Sequence, residues 1–170
     1  LDELLPIVYT PTVGQACLEW SRIYERPRGL YLSAFQHRGC IESLLRRRAD
    51  RAVRMIVVTD GGRILGLGDL GANGMGIPIG KLTLYSTCAG VPPESTLAVT
   101  LDVGTGNDAL RDDPLYLGER QARLTGEAYF EFVEEFVQAT QAVFPGVVVQ
   151  FEDFNNACAF GLLSRHRSRV

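Results

Sequence analysis

Short apolar runs that alternate with amphipathic segments limit most strongly what this chain can fold into. The runs are rich in Val, Ile and Leu, as buried strands are; they are Leu30–Ser33, Val53–Val58, Leu97–Val103 and Val147–Phe151. Apolar residues at helical spacing lie between them. Strands that alternate with helices predict an α/β fold, a mostly parallel sheet covered by helices on both faces in three layers.

The segments with helical periodicity predict five helices. They are a segment from about Thr12 to Tyr24, one that carries Ile41 and ends near Arg48, Lys81–Ala89, a long helix that begins with Thr125 as N-cap and ends before Pro145, and a short one around Ala157–Leu163.

Composition and charge exclude several functional classes. The 170 residues carry a net charge of -3, and no apolar run is long enough to span a membrane or to form a signal peptide. We therefore expect a cytoplasmic domain with no membrane or nucleic-acid partner, although a mitochondrial or plastid matrix stays open. The basic run Arg46–Arg48 lies on the polar side of a predicted helix without interleaved aromatic residues, which indicates a solvated face. Four scattered cysteines predict neither a zinc site nor a disulfide framework.

Acidic residues lie at the carboxyl ends of three of the predicted strands. They are Asp60, Asp102 and the pair Glu152 and Asp153. Ligands of parallel α/β sheets gather at the carboxyl ends of the strands, so these positions are candidates for a site. Adjacent carboxylates are hard oxygen ligands that suit magnesium or manganese, but such pairs are also common where a chain enters a helix.

A glycine-rich segment, GLGDLG from Gly66 to Gly71, matches the GxGxxG dinucleotide fingerprint. Its spacing fits poorly, because the preceding strand ends at Val58 and the acidic residue at position 102 comes later than the roughly 20 residues that the motif requires. A P-loop is excluded, because Leu82 stands where Ser or Thr would bind magnesium. Spacing alone leaves the dinucleotide interpretation open.

Three further residues could each have either a role in the chemistry of a site or a purely structural role. Lys81 is the only lysine among 17 basic residues, and a partly buried ammonium can lose its proton near neutrality whereas arginine cannot. Arg63 follows a turn and could clamp a carboxylate in bidentate fashion. Tyr9 precedes a helix, a placement that could direct its phenol into a cleft. Taken singly, Lys81 is equally compatible with a chance surface lysine. An arginine such as Arg63 is more often a solvated surface charge, and a tyrosine such as Tyr9 is more often packed at the edge of the core.

Five segments taken together, PIVYTPTVG, VVTDGGRILGLGDLG, GMGIPIGKL, LDVGT and QFEDF, resemble the malic enzyme family from Pro6 to about Arg169. The resemblance implies the three-layer fold shared by the N-terminal domains of malic enzymes and amino-acid dehydrogenases. Residues 1–170 would be a substrate-binding domain, incomplete at both ends, with the NAD(P)-binding domain absent from this chain. It also implies that GLGDLG belongs to the substrate domain.

By the same resemblance, the chain is part of an enzyme that converts malate to pyruvate and CO2 with reduction of NAD or NADP. Tyr9 would be the general acid that protonates the enol of pyruvate, and Lys81 the general base that accepts the C2 hydroxyl proton. Arg63 would hold the substrate carboxylate and is a further candidate for contact with the cofactor. Glu152 and Asp153 would be two of three protein ligands to Mg²⁺ or Mn²⁺.

The chain departs from the family pattern at Gly62, where many members carry an acid before the arginine. The resemblance places the third metal ligand and the nucleotide domain beyond Val170, so we expect the chain alone to be inactive. The resemblance also implies that the full-length protein is a homo-oligomer. The alternative is a non-catalytic module of the same fold that binds a dicarboxylate or a partner protein.

Overall fold

A four-stranded parallel sheet forms the centre of the domain. The computed structural model describes residues 3–26, 28–49 and 52–167. The strands are β1 (Leu30–Ser33), β2 (Met55–Thr59), β3 (Thr96–Asp102) and β4 (Val148–Phe151). They lie in the order β1-β3-β2-β4, and all three pairings are parallel.

Helices connect the strands, and short 3-10 turns span 71–75 and 93–95. The helices are α1 (Leu5–Val8), α2 (Thr12–Leu18), α3 (Trp20–Ile23), α4 (Ile41–Arg46), α5 (Gly76–Ala89), α6 (Asp108–Asp112), α7 (Glu127–Val143) and α8 (Asn156–His166). Within the described ranges, no helix combines the length and the apolar composition that crossing a membrane requires.

Both faces of the sheet are covered, which confirms the predicted three-layer α/β architecture. Successive side chains of a strand point to opposite faces, and β2 buries apolar residues on both. Ile56 and Val58 pack in the cluster that includes buried residues of α4 and α7, whereas Val57 packs with Leu82 of α5. A strand that is apolar on both faces belongs in the middle of such a sheet.

The register of the sheet brings the ends of β2 and β4 side by side. Val58 pairs with Phe151, and the backbone N–H of Glu152 donates to the carbonyl of Val58 at 2.8 Å. Residues that follow β4 therefore lie next to the turn that follows β2. Asp102, at the end of β3, lies on the other side of β2.

Several predicted helix boundaries were wrong. The helix expected from Thr12 to Tyr24 is divided at Glu19, whose backbone angles (φ -101°, ψ 9°) are not helical. Thr125 is not the N-cap of α7, because the helix begins at Glu127 and Gly126 occupies the cap position. The helix predicted from Lys81 begins at Gly76, since a proline in the first turn, Pro78, costs no helical hydrogen bond.

The strand and helix inventory also differs in smaller ways. The second strand begins at Met55 rather than Val53, and the third ends at Asp102 rather than Val103. The structure adds α1 and α6, which are too short to show helical periodicity in the sequence.

Candidate active site

Helix α5 lies close against the N-terminal helices because it carries glycine on that side. A Cβ on Gly80 would lie 3.0 Å from the Tyr9 ring and 3.0 Å from Val13. At Gly76 it would lie 2.6 Å from the sulfur of Cys17. The missing side chains let Tyr9 pack beside the residue that follows Gly80, which is Lys81.

Tyr9, Lys81 and Glu152 form one cluster. The Lys81 ammonium lies 2.9 Å from Oε1 of Glu152 and 4.8 Å from the centre of the Tyr9 ring. Lys81 and Glu152 are both largely buried, with 20% and 17% of their side chains exposed. Residues far apart in the sequence thus meet at the carboxyl end of β4, as expected for a ligand site in a parallel sheet.

The cluster sets the protonation of its members. Burial raises the pKa of Tyr9, and the negative charges of Glu152 and Asp153 raise it further. Together they outweigh the lowering effect of Lys81, so the phenol keeps its proton at neutral pH. Burial lowers the pKa of Lys81, but hydrogen bonds to Glu152 and Tyr9 raise it above its ordinary value. The sequence-based expectation that burial would help Lys81 to lose its proton is therefore wrong while Glu152 is its partner.

Arg63 and Asp153 lie together on the adjoining side of Glu152. The backbone N–H of Arg63 donates to the carbonyl of Asp153 at 3.1 Å, which ties the turn after β2 to the end of β4. Both residues line a cleft of about 470 Å³, with Leu65 and Phe154 among its apolar walls. The Arg63 side chain is exposed, and among the described residues its guanidinium forms no ion pair, so it is available to an anion.

The two carboxylates fit a divalent cation in their chemistry. Burial and the neighbouring charge of Glu152 raise the pKa of Asp153, and a bound cation would relieve that repulsion. Asp153 also has a left-handed backbone (φ 55°), which aspartate tolerates better than most residues with a Cβ. Across 3–26, 28–49 and 52–167, no group of three His, Cys, Asp or Glu side chains is arranged to hold a metal ion. Further ligands would have to come from elsewhere.

Sequence reasoning missed two residues that support Glu152. The hydroxyl of Tyr85 donates to Oε1 of Gln150 at 2.7 Å, and Nε2 of Gln150 donates to Oε2 of Glu152 at 2.6 Å. The spacing held a signal, because Tyr85 lies four residues after Lys81 on α5 and Gln150 lies two residues before Glu152.

The GLGDLG segment is packed against other loops instead of being open to a nucleotide. The N–H groups of Leu70, Gly71 and Ala72 donate to the Gly61 carbonyl, the Asp69 side chain and the Tyr116 hydroxyl. These are the backbone donors that a pyrophosphate would require. The left-handed Gly71 (φ 49°) is also overlaid by the Tyr116 hydroxyl, which leaves no room for a side chain. Close packing explains this glycine without a cofactor.

A buried ionic network holds this segment in place, and the sequence did not reveal it. Arg123 binds both oxygens of Asp69 at 2.8 Å and lies 3.2 Å from the carboxylate of Asp60. Tyr129 of α7 donates to the same Asp60 carboxylate at 2.8 Å. Burial opposes ionisation of Asp69, but its bonds to Arg123 hold the pKa of Asp69 below its ordinary value. Burial raises the pKa of Asp60, and its carboxyl group is committed to contacts in the interior of the fold.

Asp102, at the end of β3, is separate from the cluster of Tyr9, Lys81 and Glu152. The carboxylate of Asp102 accepts from the backbone N–H groups of Gly104 and Glu119, at 3.1 and 2.7 Å. These bonds give Asp102 a role in loop structure, apart from Tyr9, Lys81 and Glu152.

The chain is similar to known malic enzymes over its whole length. A family model described as the malic enzyme N-terminal domain matches residues 1–167. The chain is 55% identical over 170 residues to the NAD-dependent malic enzyme of Erwinia tasmaniensis and 52% identical to that of Escherichia coli O1:K1 / APEC. Each match covers 100% of this chain but only 30% of the relative's length.

Proposed function

Because the chain belongs to the malic enzyme family, we propose that it forms the substrate-binding part of an enzyme that oxidises malate and decarboxylates the product to pyruvate. The observation that carries the proposal is the contact of Lys81 with Tyr9 and Glu152 at the carboxyl end of the sheet. A base, an acid and a carboxylate ligand in mutual contact are the groups that oxidation, loss of CO2 and reprotonation require.

Lys81 and Tyr9 divide the proton transfers. Lys81 would accept the proton of the C2 hydroxyl of malate, and a bound nicotinamide cofactor would supply the acceptor for the C2 hydrogen as hydride. Loss of CO2 then leaves the enolate of pyruvate, whose oxygen takes the proton back from Lys81 to give the enol. The raised pKa of Tyr9 keeps the phenol protonated and able to donate to C3 of that enol. Lys81 becomes a competent base once Glu152 is engaged by another cation, because that carboxylate is the charge that now holds its proton.

Glu152 and Asp153 would hold a Mg²⁺ or Mn²⁺ ion beside the substrate. When bound, such an ion acts as a Lewis acid that polarises the C2 oxygen and stabilises negative charge there. Two protein carboxylates leave coordination positions for substrate oxygens, water and a further ligand outside the described residues.

Arg63 supplies the positive charge that a dicarboxylate needs. Its exposed guanidinium borders the cleft shared with Asp153, and a bidentate contact would fix one malate carboxylate. The same exposed position leaves Arg63 a candidate for contact with the cofactor as well.

We further propose that another part of a longer polypeptide covers this cleft and binds the cofactor. Large apolar side chains that line this cleft are exposed, with Leu65 86% and Leu163 59% exposed. Apolar surface of this kind usually meets another protein surface. NAD is the cofactor favoured, since the names of both relatives include it, while use of NADP, homo-oligomerisation and inactivity of the isolated chain stay predictions.

The direct test is an assay of the full-length protein encoded by this gene. With malate, Mn²⁺ and NAD or NADP, we expect the wild-type protein to form reduced nucleotide, pyruvate and CO2 in equal amounts. Glu152→Gln and Asp153→Asn should lose this activity, and Mn²⁺ should no longer stimulate them. Arg165→Lys, on the surface of α8, is the matched control and should retain activity. Tight malate binding without turnover would reject the proposal and favour a non-catalytic dicarboxylate-binding module.

A further inference from the structure

We propose that Gln150 and Tyr85 are positioning residues for Glu152, which hold its carboxylate in the orientation that binds the divalent cation. The inference rests on the proposed function, in which Glu152 is a metal ligand. It concerns two residues that would act through Glu152.

Hydrogen-bond chemistry fixes the direction of this chain of contacts. An ionised carboxylate only accepts hydrogen bonds, so the Gln150 amide has to present its NH2 group to Oε2 of Glu152, at 2.6 Å. The amide oxygen then faces the other way and accepts the Tyr85 hydroxyl at 2.7 Å. The carboxylate of Glu152 thus decides which way the amide faces, and the Tyr85 hydroxyl, by donating to the amide oxygen, holds the amide in place against Glu152.

The fold brings these residues together as two parallel contacts between α5 and β4. Lys81 and Tyr85 are four residues apart and share a face of α5. Gln150 and Glu152 are two residues apart at the end of β4, so their side chains point to the same side. Lys81 thus meets Glu152, and one helical turn later Tyr85 meets Gln150.

Both oxygens of Glu152 are consequently held by protein groups before any cation binds. Oε1 faces Lys81 and Oε2 faces Gln150, while each oxygen of a carboxylate has two acceptor positions. Because Lys81 has to be freed in the proposed mechanism, Gln150 is the contact that persists. Hydrogen bonds behind a ligand orient it, and their loss weakens metal affinity by about 10- to 100-fold.

The test is a Mn²⁺ titration of the full-length protein without substrate, in which electron paramagnetic resonance reports free Mn²⁺. Gln150→Met should raise the Kd for Mn²⁺ about tenfold or more, because it removes the donor to Glu152. Tyr85→Phe should raise the Kd by a smaller factor, because the amide still donates to Glu152 but loses the hydroxyl that holds it in place. In both variants the KM for Mn²⁺ should rise more than kcat falls. Gln138→Met is the control, since the Gln138 amide contacts Glu134 on the exposed side of α7.

The possible outcomes separate this inference from the function on which it rests. Wild-type affinity for Mn²⁺ in Gln150→Met would overturn the positioning role while the proposed function stands. If Gln150→Met fails to fold, as circular dichroism would show, Tyr85→Phe decides, and an unchanged Kd overturns the inference. Absence of Mn²⁺ binding in the wild-type protein would overturn the proposed function and this inference with it.

Discussion

Lys81 and Glu152 are joined by an ion pair of 2.9 Å that links the middle of α5 to the residue after β4. In the proposed mechanism one partner is the base and the other a metal ligand, so each blocks the role of the other while they are paired. The pair therefore couples metal binding to the activation of the base.

Replacing Glu152 with Gln should lower the pKa of Lys81. The desolvation that lowers it would remain, while the carboxylate that raises it would be gone. The contribution of the pair to stability is present below the ordinary lysine pKa of 10.5 and is lost as pH rises through the higher folded value. Lys81 is the only lysine of the 170 residues, so a side-chain NMR titration of this chain reports it directly. The same pKa in both proteins would contradict the account.

Replacing Gly80 with Ala should reduce activity by displacing Tyr9. The added Cβ would lie 3.0 Å from the Tyr9 ring, so the ring must move by a few tenths of an ångström away from α5. Gly14→Ala is the matched control, because its Cβ would meet only Leu67, at an ordinary 3.5 Å. We expect the control to keep kcat and to gain up to about 1 kcal/mol from helix propensity. Steady-state kinetics on both variants of the full-length protein would check this, and equal kcat values would refute it.

Replacing Gly71 with Ala should destabilise the fold more than the same change at Gly66. Both glycines have positive φ, so each change costs about 1–2 kcal/mol of backbone strain. Only Gly71 is also overlaid by the Tyr116 hydroxyl, which adds about 1–3 kcal/mol of overpacking. Urea unfolding measures both costs, and Tyr116→Phe should recover part of the loss at Gly71. Equal losses of stability in Gly66→Ala and Gly71→Ala would argue against the packing role of Gly71. Weaker NAD binding in Gly66→Ala would argue against a purely structural role for the GLGDLG segment.

Replacing Arg123 with Ala should destabilise the domain by about 3–5 kcal/mol, because it leaves the buried charges of Asp60 and Asp69 without their cation. The pKa of Asp69 is held below its ordinary value. The stabilisation that its pair with Arg123 contributes is therefore present at neutral pH and is lost as pH falls below about 4. Urea unfolding at several pH values would measure this difference. Arg165→Ala, which breaks an exposed pair with Glu127, should change stability little.

The layered fold could be predicted from the sequence because its signal is local. The apolar runs at β2 and β4 and the periodicity of α7 are visible within windows of a few residues. Helix ends were harder, because Glu19 and Gly126 break or begin helices through backbone angles that their neighbours do not reveal.

The candidate site was predictable only in part. The strand-end rule located Glu152 and Asp153, and the family resemblance located Tyr9, Arg63 and Lys81. Their contacts depend on the order of the strands, which places β4 beside β2, the strand against which α5 packs. Arg123 could not be found, because its partners lie in other elements and it belongs to no recognised motif. Gln150 lies in the segment QFEDF, but its contact with Tyr85 of α5 could not be read from the sequence.

The most direct test of the central claim is the rate of malate oxidation by the Lys81→Arg variant of the full-length protein. Arginine keeps the positive charge opposite Glu152 but cannot release its proton at neutral pH. The account predicts a fall in kcat of about 10²- to 10⁴-fold with the fold and the binding of Mn²⁺ retained. A wild-type rate would show that Lys81 supplies only charge, and it would contradict its role as the base.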